Sequence, residues 1–159
     1  MKNSENFPLY SPGKETLLEN ENLLVADVRK RRTFFAIYEV KEGALSRSSE
    51  REYATRDFSS FAEMTQRFIA ETGAKTARMS VAVPGPVIHG RCETTNLPWE
   101  IDAAELQENL GIKTYLINDM EATAYSLADL SQAEVITIHN SENLMPGNVA
   151  ILAAGNGLG

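Results

Sequence analysis

Two neighbouring polar residues, Asn118 and Asp119, follow a short apolar run and stand where a helix is predicted to begin. In open α/β sheets, ligands bind at the carboxyl ends of the strands, so both side chains are placed to meet a substrate. The positive end of the helix favours the ionised form of Asp119, which can accept a proton from a hydroxyl group. The amide beside it can bind a second hydroxyl. In the alternative interpretation, one of the two side chains only caps the helix and contributes about 1 kcal/mol.

A second candidate is the segment TTNLPWEID, residues 94–102, which combines hydroxyl groups, an amide and the single tryptophan of the chain, Trp99. A sugar requires this combination, because its hydroxyls need polar partners and the C–H face of its ring needs an apolar wall. In the alternative interpretation, Trp99 anchors the loop in the core and Asn96 satisfies backbone groups of a turn.

A third candidate is the glycine-rich segment AAGNGLG, in which Gly155, Gly157 and Gly159 follow an apolar run. Without a Cβ atom, such residues allow backbone N–H groups to approach a phosphate. A turn at the end of a strand explains the same pattern equally well. The two histidines, His89 and His139, lie far apart with no ligand spacing around them, so no metal site made by side chains alone is predicted.

The elements that must position these residues follow from hydrophobic periodicity and capping signals. Predicted strands cover 22–28, 33–40, 44–55, 77–85, 113–119 and 148–155, and predicted helices begin after Ser60, at Asp102 and at 120. Three consecutive strands joined by short turns indicate an antiparallel meander, and strand–helix alternation follows it. The prediction is therefore an α/β fold, with a mixed sheet and helices packed on it.

Composition limits the classes of function. The 159-residue chain has 15 basic and 22 acidic residues and a net charge of −7, which argues against general binding of nucleic acid. No apolar run reaches the roughly 20 residues of a membrane helix. Residues 1–20 are polar, without a signal-peptide centre, and are predicted to form a flexible tail. With a single cysteine, Cys92, the sequence indicates a cytoplasmic protein that neither contains disulfides nor contacts membranes.

Taken in order, these segments resemble the N-terminal part of bacterial glucokinases, in the sugar-kinase branch of the actin/hexokinase superfamily. The resemblance runs from about Leu23 to the end and is carried by VAVPGPVIHGRCETTNLPWEID, LINDMEATAYSL and the glycine-rich segment. It implies a ribonuclease H-like, actin-like ATPase lobe that closes with a second lobe on a sugar and ATP–Mg²⁺. It further implies that 21–159 is the small lobe of a longer parent that phosphorylates glucose at O6, and that the fragment alone is inactive.

The resemblance implies roles for particular residues. It makes Asp119 the general base that faces the 6-hydroxyl of the sugar, and Asn118 a ligand of a sugar hydroxyl. The other residues to which it assigns a role are Asn96 in the sugar-side loop, Asp27 in the first phosphate loop near the metal, and Gly155, Gly157 and Gly159 in the second phosphate loop.

The basic run Arg29–Arg32 departs from this pattern. The family usually has Gly-Gly-Thr after the aspartate and one hydrophobic residue, whereas Arg29, Lys30 and Arg31 stand there in this chain. Side chains of that size cannot reproduce the close approach of glycine to a phosphate, so weak or absent ATP binding by this chain is expected. Four explanations of the run stay open. It is a degenerate natural copy of the phosphate turn, an altered sequence, a loop that binds another anionic partner, or a charged turn exposed to solvent. Asn156, where threonine is usual, is a milder change.

Three hypotheses follow for function. The first is the small lobe of a glucokinase, which binds glucose or a related hexose and takes ATP and Mg²⁺ in its parent. The second is a non-catalytic sugar-binding or regulatory member of the same superfamily that has lost its phosphate loop. The third is a dimerising interaction domain, because an exposed lobe interface favours a homodimer.

Overall fold

The computed structural model describes residues 21–42, 44–93, 97, 99–127, 130–139 and 148–154. Among them, those up to Asp119 form one compact unit and those from Met120 onward belong to a second. The elements are β1 (Asn22–Val28), β2 (Arg32–Lys41), β3 (Ala44–Ala54), α1 (Phe61–Thr72), β4 (Arg78–Val83), β5 (Arg91–Cys92), β6 (Ile101–Asp102), α2 (Ala103–Leu110), β7 (Lys113–Asn118) and α3 (Asp119–Leu127).

Five strands form one mixed sheet in the order β3-β2-β1-β4-β7, and β5 and β6 form a separate two-stranded ribbon. The first three strands are antiparallel, whereas β4 is parallel to both β1 and β7. The connections into β4 and β7 contain helices α1 and α2, as parallel strands require a crossover. The predicted meander and the mixed α/β sheet are thus confirmed.

The helices begin and end where their capping residues predict. The hydroxyl of Ser60 accepts a hydrogen bond from the backbone N–H of Glu63, and Gly73 ends α1 with a φ of 66°. The carboxylate of Asp102 accepts from the first turn of α2, and Gly111 ends that helix with a φ of 67°. Both glycines adopt the left-handed conformation that other residues rarely take. No helix in the described part of the chain is long and apolar enough to span a bilayer.

The core lies on one face of the large sheet, beneath α1 and α2. Phe35 of β2 stacks on Phe61 and Phe68 of α1, with ring centroids 5.5 and 5.1 Å apart. Alternate residues of the central strands point into the same cluster: Leu24, Ala26, Val28, Ile37, Met79, Val81 and Val83. Burial of one face leaves the odd-numbered residues of β1, Asp27 among them, on the opposite face.

Strand β3 lies at one edge of the sheet and is largely exposed, as its alternating sequence predicts. Its register with β2 shifts between Ile37 and Tyr38, so that Ser48 is an extra residue in the ladder. The hydroxyl of Ser48 donates to the carbonyl of Ile37 at 3.4 Å. This β-bulge bends the edge strand locally.

One prediction about the elements is wrong. The strand predicted over 148–155 is absent from its described part, where 148–153 form no strand and Ala154 makes an isolated bridge. An apolar run forms a strand only when a partner strand pairs with it, and side chains such as Leu152 are exposed here. Periodicity reports the apolar run but not the partner.

Strand β3 and helix α1 are joined by a polar cluster around Glu71. The hydroxyl of Tyr53 donates to the Glu71 carboxylate at 2.8 Å, and Arg67 pairs with the same carboxylate. The bond from Tyr53 and then the contact with Arg67 lower the pKa of Glu71 below its ordinary value of 4.5. Burial and the neighbouring Glu71 raise the pKa of Tyr53 to about 12.

Glu71→Gln should therefore change the pH dependence of stability. Because the folded state lowers the pKa of Glu71, its contribution is present above pH 4.5 and is lost as the pH falls through the folded value. The difference in Tm between wild type and E71Q should thus be largest near neutral pH and shrink on acidification. Thermal unfolding followed by circular dichroism between pH 3 and 7 measures it, with exposed Glu108→Gln as the control. A Tm difference that stays constant with pH would contradict this assignment.

Candidate functional site

The carboxyl ends of β1, β4 and β7 meet at one edge of the sheet. In the parallel register, Asp27 of β1 lies beside Ala82 of β4, and Val83 lies beside Asn118 of β7. Asp119 follows immediately as the first residue of α3. Strand pairing thus brings Asp27 to the same edge as Asn118 and Asp119, which are distant from it in sequence.

The side chain of Asn118 is half-buried and tied to the loop that follows β4. Its Nδ2 atom donates to the backbone oxygen of Gly85 at 2.9 Å. This bond joins the end of β7 to the Pro84–Pro86 turn.

Asp119 is half-buried as well, and its charge acts on two neighbouring segments. The pKa of the Cys92 thiol is raised by burial and then by the negative charge of Asp119. Cys92 ends strand β5 and leads into the loop that contains Trp99. The pKa of Arg29 is raised by its hydrogen bond to Asp27, by the charge of Asp27 and, after a smaller opposing effect of burial, by the charge of Asp119. The carboxylate of Asp119 thus lies within electrostatic reach of both the basic turn and this loop.

The basic turn is partly neutralised within the chain. Arg29 donates from Nε and Nη2 to one carboxylate oxygen of Asp27, at 2.8 and 2.5 Å. The guanidinium carbon of Arg29 also lies 5.2 Å from the ring centroid of Phe34. Arg32 forms an ion pair with Glu52 across the β2–β3 ladder.

A buried threonine holds the backbone of this turn. The hydroxyl of Thr55 donates to the carbonyl of Arg29 at 2.7 Å, and its backbone N–H donates to the carbonyl of Arg31 at 3.1 Å. The same hydroxyl lies 3.0 Å from that of Thr33, and both threonines are fully buried. Sequence analysis missed both residues, and their only signal is a threonine directly after the turn and another at the end of β3.

The first turn does not fit the ATP–Mg²⁺ complex that the resemblance implies. The N–H of Arg29 is bonded to the carbonyl of Arg32, so the turn closes on itself rather than presenting that donor to a phosphate. The carboxylate of Asp27 already holds a guanidinium. Across the described residues, no group of three or more His, Cys, Asp or Glu side chains could hold a metal ion.

Trp99 anchors its loop to the core, as the alternative interpretation of the segment states. Its Nε1 donates to the carbonyl of Phe58 at 3.2 Å, and its ring lies 6.2 Å from that of Phe61. Asp102 fixes the far end of the loop, because it caps α2 and also pairs with Arg91 at 2.5 Å.

Four of the predicted site residues lie outside the described residues: Asn96, Gly155, Gly157 and Gly159. Their roles stay predictions of the sequence. The geometry at the sheet edge therefore concerns Asp27, Asn118 and Asp119, together with the turn that follows β1.

Comparison with known proteins identifies relatives along most of the chain. A family model described as Glucokinase matches residues 24–159. A glucokinase from Trichormus variabilis is 30% identical over 141 residues, which are 86% of this chain and 41% of that protein. One from Synechocystis sp. is 30% identical over 150 residues, which are 87% of this chain and 42% of that protein. The chain spans less than half the length of these relatives.

Solved structures share the fold. A glucokinase from an Antarctic psychrotroph superimposes with a TM-score of 0.64 and 24% identity, over 71% of this chain and 37% of its own. A ROK family glucokinase from Streptomyces griseus, in complex with glucose and AMPPNP, gives a TM-score of 0.52 and 16% identity, over 65% of this chain and 35% of its own. The mixed α/β lobe expected from the sequence is confirmed as a fold that these glucokinase structures share.

Replacing Thr55 tests the hydrogen bonds that fix the turn. Thr55→Val keeps the shape of the side chain but removes the hydroxyl, which leaves a partly buried carbonyl and the buried Thr33 hydroxyl without that partner. A loss of about 1–3 kcal/mol in the free energy of unfolding is expected, measured by urea denaturation. Thr55→Ser keeps the hydroxyl and should lose only about 0.8 kcal/mol for one methyl group. Equal stability of T55V and wild type would show that these bonds contribute nothing.

Proposed function

The chain belongs to the glucokinase family, and from that premise we propose that it is the N-terminal lobe of a hexose kinase. The whole protein would transfer the γ-phosphoryl group of ATP to the 6-hydroxyl of glucose. The lobe comprises residues 21–159, and the flexible tail predicted over 1–20 lies outside the described residues. The match over residues 24–159 and the glucose complex of the Streptomyces griseus relative support this proposal.

The observation that carries the proposal is the placement of Asp119 beside Asn118 at the carboxyl edge of the parallel strands. In this position, Asp119 accepts the proton of the sugar hydroxyl as its oxygen attacks the phosphoryl group. Asn118, fixed through Gly85, orients the sugar beside it. Phosphoryl transfer depends mainly on positioning and charge, and a positioned base supplies a further 10²–10⁴-fold, roughly.

The residues that hold the phosphates of ATP differ from those of the family pattern. Because the turn after β1 does not fit ATP–Mg²⁺, the phosphates must be held mainly by other residues. The glycine-rich segment with Gly155, Gly157 and Gly159 is the predicted candidate within this chain. ATP supplies the phosphoryl group, and the residues of this lobe prepare the acceptor. Cytoplasmic location and a homodimeric state remain predictions of the sequence.

Asp119→Asn tests the assignment of the base. In a protein that joins this lobe to the remaining length of its relatives, kcat should fall by roughly 10²–10⁴-fold, because the amide cannot accept the proton. The KM for glucose should change far less, since the side chain keeps its size and its place. A coupled assay of ADP release over a range of glucose concentrations separates the two parameters.

Glu108→Gln is the matched control, because it removes one negative charge from an exposed position of α2. It should leave kcat and KM unchanged. Full turnover by D119N would remove Asp119 from catalysis. Absence of turnover in the unmodified protein, with glucose binding retained, would favour the non-catalytic sugar-binding hypothesis instead.

Titration of the chain with ATP tests the donor side. Isothermal calorimetry should detect no binding at micromolar concentrations, because the turn lacks the glycines that allow a phosphate to approach. The triple variant R29G/K30G/R31T restores the family pattern and should bind more tightly than wild type. Micromolar affinity of the wild-type chain would show that the basic turn accepts the nucleotide.

A further inference from the structure

The side chain of Arg29 is folded back onto the sheet edge. Asp27 and Phe34 are directly opposite each other on β1 and β2. Directly paired residues project from the same face of a sheet, so this pair lies on the face opposite the core. The guanidinium of Arg29 contacts both members, through two hydrogen bonds to Asp27 and the face of the Phe34 ring.

Arg29 differs from the other basic residues of the turn in the contacts that its side chain makes. Arg32 pairs with Glu52 on β3, away from the carboxyl ends of the parallel strands. Lys30 and Arg31 enter no ion pair with any described residue. The hydrogen bond to Asp27 and the charge of Asp27 raise the pKa of Arg29, and the charge of Asp119 raises it to a lesser extent.

The position of the guanidinium is fixed through the backbone as well. The carbonyl of Arg29 accepts from the buried hydroxyl of Thr55, and its N–H donates to the carbonyl of Arg32. Because the backbone of Arg29 is hydrogen-bonded at both its N–H and its carbonyl, its side chain starts from a fixed point and reaches the carboxylate of Asp27, two residues earlier. The contact with the Phe34 ring further limits the conformations of the Arg29 side chain.

We propose that Arg29 is a tethered cation that occupies the Asp27 carboxylate and excludes divalent metal ions from this edge of the site. Carboxylate oxygens are the ligands that Mg²⁺ and Mn²⁺ prefer. A dication approaching Asp27 competes with the guanidinium for one carboxylate oxygen and meets its positive charge. The proposal deepens the proposed function, on which it rests for its meaning in catalysis, because it concerns the donor side of the same site.

Binding of Mn²⁺ to the 159-residue chain tests the proposal without any turnover measurement. Electron paramagnetic resonance of free Mn²⁺ gives the affinity, and paramagnetic broadening of amide NMR signals gives the place. Wild type should bind weakly and without broadening centred on Asp27. Arg29→Gln should gain about tenfold in affinity, since the guanidinium charge next to the carboxylate is lost. The broadening should then centre on the residues around Asp27 and Asp119.

Three further variants make the test specific. Arg31→Gln removes the same charge from the same turn without touching Asp27, and should bind Mn²⁺ as wild type does. Arg29→Met, which can retain contact with Phe34, should show the same gain as R29Q and serves if R29Q fails to fold. The double variant D27N/R29Q should lose the gain.

Equal gains in R31Q and R29Q would overturn the proposal, because they would indicate a general effect of charge. No gain in folded R29Q or R29M would overturn it too, as would tight binding at Asp27 in wild type. These outcomes are independent of the proposed function. If the unmodified longer protein shows no turnover while R29Q gains Mn²⁺, the kinase assignment fails and the tethered cation stands.

Discussion

Strand β1 is hydrogen-bonded on both sides, antiparallel to β2 and parallel to β4. The antiparallel pairing with β2 places the turn after β1 at the edge of the sheet where β1 ends. The parallel pairing with β4 brings the carboxyl ends of β4 and β7 to the same edge. Asp27, Asn118 and Asp119 lie at one edge because β4 pairs in parallel with both β1 and β7. The buried threonines next to the turn, Thr33 and Thr55, stabilise it further through the contact between their hydroxyls.

The ion pair between Arg29 and Asp27 contributes chemistry more than stability. Both side chains are partly exposed, and such pairs are typically worth about 0–1 kcal/mol. The effect on the site is larger, because the guanidinium holds one oxygen of the carboxylate and its positive charge repels a dication. Whereas glycines would leave the edge open to phosphate, the arginine supplies a positive charge of its own. A turn that differs from the family pattern at three positions thus changes what the same strands can bind.

Local signals predicted most of the fold. Ser60 and Asp102 mark helix starts because their capping bonds are made within a few residues, and the alternation of β1 and β4 reflects burial of one face. The strand over 148–155 was wrong because a strand depends on a partner that periodicity does not describe. At the site, the segment around Asp119 was identifiable from sequence, whereas the bonds from Thr55 were not. The bond from Thr55 to Arg29 joins residues 26 positions apart, and it depends on the register of both the β1–β2 and the β2–β3 hairpins. The two-residue spacing of Asp27 and Arg29 puts them near each other, but does not say that the guanidinium folds back.

The bulge in β3 has a consequence for how copies of this chain meet. An edge strand offers unpaired N–H and C=O groups to any other strand, and long flat edges therefore aggregate. Here the extra residue Ser48 interrupts the regular spacing, and the charged side chains of Arg47, Glu50 and Arg51 flank it. A second copy cannot continue the ladder across that interruption without leaving charges opposed or backbone groups unsatisfied. The bulge and these charges thus disfavour extension of the sheet from this edge by further copies.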